Sequence, residues 1–198
     1  MRLHLGVVTD TQTMTDLTGQ LLIAMPGMSD PRFEHSLIYL CAHSDDGAMG
    51  LIVNKPSADV SFGNLVDQLS IDSPEDVSDK RVHFGGPVEL GRGFVLHSPD
   101  FRSEMTTLNV DDGFAMTGTL DVLENIALGT GPKQHLVMLG YAGWGPGQLE
   151  SEIAANGWLT CDASPDLVFQ ADDAAKWEGA LGRLGITPLA LSAEGGRA

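Results

Sequence analysis

Basic side chains are scarce in this chain. Its 198 residues carry 11 Lys plus Arg against 27 Asp plus Glu, a formal charge of −16. A charge of that sign repels polyanions over roughly 8 Å at physiological salt. Direct, nonspecific binding to nucleic acid or to an acidic membrane surface is therefore a poor fit. Cysteine is nearly missing as well. Cys41 and Cys161 are the two present, each within a short apolar stretch. That usage fits inert packing thiols in a reducing compartment rather than a disulfide framework. Long hydrophobic runs are also lacking. LLIAM and HLVMLGYAGW fall far short of the roughly 20 residues that a membrane span needs. The opening MRLHLGVVTD turns polar too soon for a signal peptide, and the expected location is cytoplasmic.

Several chemical signatures are wanting. The six histidines, His4, His35, His43, His83, His97 and His135, include no H-x-H or H-x-x-x-H pair, so no metal is expected. Most are expected at strand ends or on the surface. There is no G-x-S-x-G nucleophile elbow, no P-loop and no G-x-G-x-x-G fingerprint. No cofactor is expected, and no catalytic residue is assigned.

What is there is the composition of one soluble domain: 42% of residues are apolar, and a chain of this length buries roughly 70% of its unfolded surface. Residues 1–16 lack periodicity and predict a loose lead, residues 17–190 the packed domain, and residues 191–198 a flexible tail. GQLLIAM, HSLIYLCAH and AMGLIVNK read as three strands, with Asp45-Asp46-Gly47 as a hairpin turn between the second and third. VSFGNLVDQL predicts a helix capped by Ser57 or Asp59. RVHFGGPV and RGFVLHS read as a strand pair, and FAMTG as a further strand. LDVLENIALG predicts a helix capped by Thr119, with Leu120, Leu123, Ile126 and Ala127 inward and Gly129 as its stop. HLVMLG reads as a central strand, apolar on both faces. In GYAGWGPGQ, Gly145 is the expected N-cap and Pro146 the first residue of a short helix carrying Leu149 and Ile153. WLTCDA is a last strand, and AKWEGALGRLG a last helix with Trp177, Leu181 and Leu184 inward. Strands gather early and helices interleave later. The expectation is a single α+β domain with a mixed, largely antiparallel sheet and about four helices around it.

Three segments concentrate glycine, proline and aromatics. GYAGWGPGQ is either a plain strand-turn-helix corner or an anion site at a helix start, although Glu150 and Glu152 in the first turns would repel a phosphate. Tyr141 and Trp144 beside glycines suit the wall of a groove. Phe84-Gly85-Gly86-Pro87 implies a bulge or a close approach of another backbone or a ligand. In GLIVNKP, Asn54 either caps the next element or faces a pocket. If the three segments meet, they form one concavity, and its candidate binding residues are Asn54, Pro56, Gly85, Gly86, Pro87, Tyr141, Gly143, Trp144, Gly147 and Gln148.

These segments also resemble a known family. GQLLIAMPGMSDPRFEHSLIYL, GAMGLIVNKP, FGGPV and GYAGWGPGQLESEIAANGWL, in this order over about residues 17–160, are similar to the YqgE/AlgH family of bacterial proteins. The resemblance implies a single α+β domain. It also implies a label of transcriptional regulator, which rests on the association of one branch with control of alginate production. It carries over no catalytic residues. The expected function is a non-catalytic module that binds a protein or a small molecule and regulates indirectly, with an unspecified partner and oligomeric state. The alternatives are an enzyme using His83, Glu152 or Asn54 in the groove, and a direct DNA-binding regulator. The second suffers from the lack of a basic recognition helix, since AKWEGALGRLG offers only Lys176 and Arg183.

Overall fold

The structure, a computed structural model, describes residues 14–194 other than 75 and 78. Of the lead expected over residues 1–16 and the tail expected over 191–198, residues 1–13 and 195–198 lie outside the described residues, while residues 191–194 belong to a last helix. Ten strands form one sheet: β1 (Gln20–Ala24), β2 (Leu37–Ser44), β3 (Gly47–Ile52), β4 (Pro56–Ser61), β5 (Arg81–Phe84), β6 (Val88–His97), β7 (Leu108–Asp111), β8 (Phe114–Thr117), β9 (His135–Trp144) and β10 (Trp158–Asp162). The helices are α1 (Phe62–Gln68), α2 (Leu120–Leu128), α3 (Gln148–Ala154), α4 (Asp173–Arg183) and α5 (Pro188–Glu194). The main path through the sheet is β10-β1-β2-β3-β9-β6-β8-β7. All its pairs are antiparallel, and β5 adds one parallel pair to β9. This is the mixed, largely antiparallel α+β architecture that the sequence predicts.

The apolar runs alternate between two covered faces. Leu21, Ile23, Leu37, Tyr39, Leu51, Phe94, Leu96 and Met138 point to one face and pack against Trp177, Ala180 and Leu181 of α4. Their neighbours point the other way, and there the core divides in two. Leu22, Ile38, Leu40 and Ile52 pack with Leu149 of α3 and with Trp144 and Trp158. Val82, Val95 and Val137 pack under Phe62 and Val66 of α1 and Val122 and Ile126 of α2. A strand covered on both sides has no polar face to show, which is why HLVMLG reads as continuous apolar sequence.

The division follows from a fork in the sheet. One edge of β9 carries β5 beside Val137–Leu139 and then β3 beside Ala142–Trp144. Where β5 gives way to β3, the Gly85 N–H donates to the Leu139 carbonyl, and the Gly85 carbonyl accepts from the Ile52 N–H, both at 2.8 Å. The expected pairing of RVHFGGPV with RGFVLHS is thus corrected: β5 and β6 lie on opposite edges of β9. They read as a hairpin because both are short, apolar and close in sequence.

Other boundaries also move. The stretch expected to open the first helix is strand β4, and the cap is Ser61. Its hydroxyl accepts from the Asn64 N–H while Asn64 Oδ1 accepts from the Ser61 N–H. Helix α3 starts after Gly147, whose φ of 71° is left-handed, rather than at Pro146. Leu120 and Leu184 are exposed, so α2 buries Val122 with Leu123, Ile126 and Ala127 instead. The two-residue hairpin between β2 and β3 and the Gly129 stop are as expected.

Candidate functional site

The corner at the end of β9 is held by one carboxylate. Glu152 Oε2 accepts the indole N–H of Trp144 at 2.9 Å and that of Trp158 at 2.8 Å. Glu152 Oε1 accepts from Gln148 Nε2 at 3.0 Å, and Gln148 Oε1 accepts the Gly145 N–H at 3.0 Å. The two indoles meet edge to face, 6.0 Å between centroids. Next to them Glu150 accepts from His43 Nε2 at 2.6 Å. The Leu17 N–H donates to His43 Nδ1 at 3.0 Å, which fixes the proton on Nε2. Both acids at the start of α3 are therefore engaged by the protein itself. The Gly145 amide is capped from within. The segment has the geometry of a corner rather than of an anion cradle.

In front of this corner lies a cleft of about 530 Å³, bounded by the loop Gly27–Phe33 on one side and by Pro87, Val88, Gly143, Trp144, Gln148 and Trp158 on the other. Arg32 at its mouth forms a bidentate pair with Asp30, and its Nε also donates to both Asp30 oxygens. Trp144 is 7% exposed. Trp144 borders this cleft while most of its ring packs in the core beside Trp158 and Leu149.

The remaining candidates divide. Gly85 and Gly86 do not face the cleft; they let β9 approach. A Cβ on Gly86 would stand 2.0 Å from the Tyr141 carbonyl carbon, and one on Gly85 2.3 Å from the Gly140 carbonyl oxygen. Of the two readings of FGGP, a close backbone approach is the one realised. Tyr141 packs toward the other face and lines a neighbouring concavity with Met49, Arg92 and Phe94, which shares Gly143 and Trp144 with the cleft. Asn54 is spent on structure: its Oδ1 accepts the Leu37 N–H at 2.9 Å, and its Nδ2 donates to the His35 carbonyl at 2.8 Å. It borders a cavity of about 450 Å³ with Lys55, Asp173 and Trp177, away from Trp144. Pro56 is exposed at the start of β4, opposite His83. The three glycine-rich segments therefore adjoin along β9 but do not form one concavity. His83, Glu152 and Asn54 do not converge either.

Of the histidines expected at strand ends or on the surface, His43, His83 and His97 stand at or one residue from strand ends, and all three are buried. His83 was legible only as a strand residue; its partners come from α4. Its Nε2 lies 2.9 and 3.0 Å from the two Asp173 oxygens. Lys176, 1% exposed, donates to Asp173 Oδ1 and to the Val53 carbonyl, both at 2.8 Å. Burial works against the charged form of Asp173, but hydrogen bonds from His83 and Lys176 outweigh it and hold the carboxyl below its ordinary range. Burial likewise lowers Lys176, with Asp173 acting in the other direction. Trp177 donates its indole N–H to the Ala24 carbonyl at 3.0 Å. Helix α4 thus satisfies carbonyls at the ends of two strands, a connection no local sequence signal announces.

The profile of the AlgH-like family matches residues 21–189. A UPF0301 protein of Ruegeria pomeroyi is 60% identical over 184 residues, covering 92% of this chain and all of that relative. A UPF0301 protein of Cereibacter sphaeroides is 57% identical over 183 residues with the same coverage. The solution structure of the AlgH protein from Pseudomonas aeruginosa superposes with a TM-score of 0.77 at 40% identity, over 94% of this chain and 96% of that one. An X-ray structure of a Corynebacterium diphtheriae protein shares the fold, with a TM-score of 0.67 at 21% identity, over 88% and 90% of the two chains. From the sheet, the corner and these matches together, the chain belongs to the AlgH-like family.

Proposed function

We propose that this protein is a non-catalytic binding module, and that the cleft between the Gly27–Phe33 loop and the α3 corner takes a small molecule. The observation that carries this reading is the internal satisfaction of the cleft's polar groups. Gln148 and Glu152 are engaged with each other, with two indoles and with a backbone amide. A nucleophile or general base needs a free lone pair aimed at substrate, and this corner offers a rigid, pre-organised wall instead. Its volume of about 530 Å³ falls within the roughly 300–1,000 Å³ usual for ligand sites. Met28, Phe33, Val88 and Trp144 supply apolar contact, and the Arg32–Asp30 pair supplies a polar mouth. The regulatory label of the family then fits an indirect role in the cytoplasm, through ligand-dependent contact with another protein, without DNA contact.

The test is a fragment screen followed by amide NMR. Hits are expected to shift Met28, Phe33, Val88, Gly143 and Gln148 together, and Met28→Glu is expected to weaken them at least tenfold. Hits that map elsewhere, or that bind Met28→Glu as well as wild type, overturn the reading.

A further inference from the structure

Glu152 is a carboxylate without a counter-charge. It is half-buried at the α3 corner, and its three hydrogen bonds come from uncharged donors, the Trp144 and Trp158 indoles and the Gln148 amide. Those bonds satisfy its oxygens and leave its negative charge uncancelled. Carboxylates drawn out of water are ordinarily paired with a cation. Asp173 faces Arg81 and Lys176, Asp30 faces Arg32, and Glu89 faces Arg92. Among the described residues Glu152 has no such partner. Glu150, two residues earlier on the same helix, is bonded to His43 and brings no Lys or Arg either.

The charge balance of the cleft follows. Asp30, Arg32 and Glu152 are the charged residues that line it. Arg32 is committed to Asp30 as a bidentate pair, so these two cancel and one negative charge remains. Lys55 stands behind the Gly27–Phe33 loop, where it donates to the Arg32 carbonyl at 2.9 Å and feels Glu34 and Asp30, and it borders the cavity beside Trp177 instead. The other walls are apolar. A single uncancelled negative charge beside apolar walls matches a monocation with a hydrophobic body. An anion would meet Glu152 with Arg32 already taken. The overall charge of −16 also draws cations toward the surface.

We propose, on the reading of this cleft as the binding site, that its ligand is a small organic ammonium ion, with Glu152 as the counter-charge and Met28, Phe33 and Val88 as the seat of the hydrophobic body. Glu152 acts through its charge alone, its hydrogen bonds to the indoles and to Gln148 staying in place. The Oε1 side, where Gln148 donates, is the exposed side of the carboxylate, so the ammonium approaches it without shedding all its water.

The experiment titrates 2-phenylethylammonium chloride into ¹⁵N-labelled protein at pH 7, with 2-phenylethanol and sodium phenylacetate as parallel arms of nearly the same shape. The amine is expected to bind with a Kd of about millimolar, shifting the Trp144 and Trp158 indole N–H signals and the Gln148 side-chain amide together. The alcohol should bind about fivefold more weakly, and phenylacetate more weakly still. Glu152→Gln keeps an oxygen for the indoles and removes the charge, so the amine should fall to the level of the alcohol while the alcohol is unchanged; its thermal melt is read alongside. Arg32 is 60% exposed in its side chain, so Arg32→Gln should fold normally, free the charge of Asp30 and tighten amine binding about threefold. Alcohol or phenylacetate that binds the cleft as tightly as the amine overturns the cation preference and leaves the cleft reading standing. So does an amine affinity unchanged in Arg32→Gln, or unchanged in a folded Glu152→Gln protein. If none of the three probes shifts these signals, the cleft reading and the proposal fall together.

Discussion

His97 shows how one residue ties folding to pH. It is fully buried at the end of β6. Its Nδ1–H donates to the Ser98 carbonyl at 2.7 Å, and its Nε2 accepts from the Thr117 hydroxyl at 2.8 Å. Burial lowers its pKa, with the Ser98 bond opposing, and burial also lowers His135. A histidine whose folded pKa is depressed stabilises the fold above its ordinary value of about 6.5, and that contribution is lost as pH falls through the folded value. Urea denaturation is therefore expected to show stability declining from pH 7 to pH 5. Replacing His97→Gln should flatten part of that slope, and an unchanged slope would argue against the assignment. The cysteines make a second case. Burial pushes the Cys41 thiol up to about 12 and also raises Cys161, so the native protein should react slowly with iodoacetamide, whereas the denatured chain should show two free thiols by mass. Rapid labelling of the folded protein would contradict this. Side-chain identity made the cysteine environment legible in the sequence, because a thiol amid LIYL or WLT has nowhere polar to go. His83, His97 and Trp144 were not legible, since each is buried by elements more than 10 residues away or by the opposite face of the sheet.

At the scale of elements, the contact between the Gly85-Gly86 bend and β9 is the constraint that allows least substitution. Gly86 has φ of 154°, and any Cβ there would overlap the backbone of Tyr141 and Ala142. Gly86→Ala is expected to unfold the protein or to cost several kcal/mol, since strained φ and backbone overlap add. Gly147→Ala, with φ of 71° but open space around its Cβ position, should cost only about 1 kcal/mol. Thermal melts of the pair test this, and equal losses would contradict the close-approach reading. Removing the α1 cap with Ser61→Ala should cost about 1 kcal/mol. Trp144→Ala would open a core cavity costing about 3–5 kcal/mol, which is why the cleft is better tested at Met28. Helices and most strands were legible here because caps, glycine stops and apolar runs are local signals. The partner of each strand was not, because pairing of β5 and β6 with β9 depends on residues 38 to 55 positions apart, for which sequence patterns carry no register.

For the whole molecule, the charge of −16 dominates encounters with other polymers. At physiological salt the purified protein is expected to show no saturable DNA binding below about micromolar concentration, where specific binders typically reach about 10 nM or tighter. Fluorescence anisotropy with the host's promoter DNA checks this, and a sequence-dependent isotherm would contradict it. The fork adds a consequence in time. Strand β9, at residues 135–144, is the common partner of β3, β5 and β6, all of which are synthesised earlier. When synthesis has reached residue 130, β3, β5 and β6 have been made without their shared neighbour, and the edge each presents to β9 is unpaired. Joining of these three strands must wait for one late segment, so the interval in which those edges stay open during translation is set by how quickly the stretch up to Trp144 clears the exit tunnel.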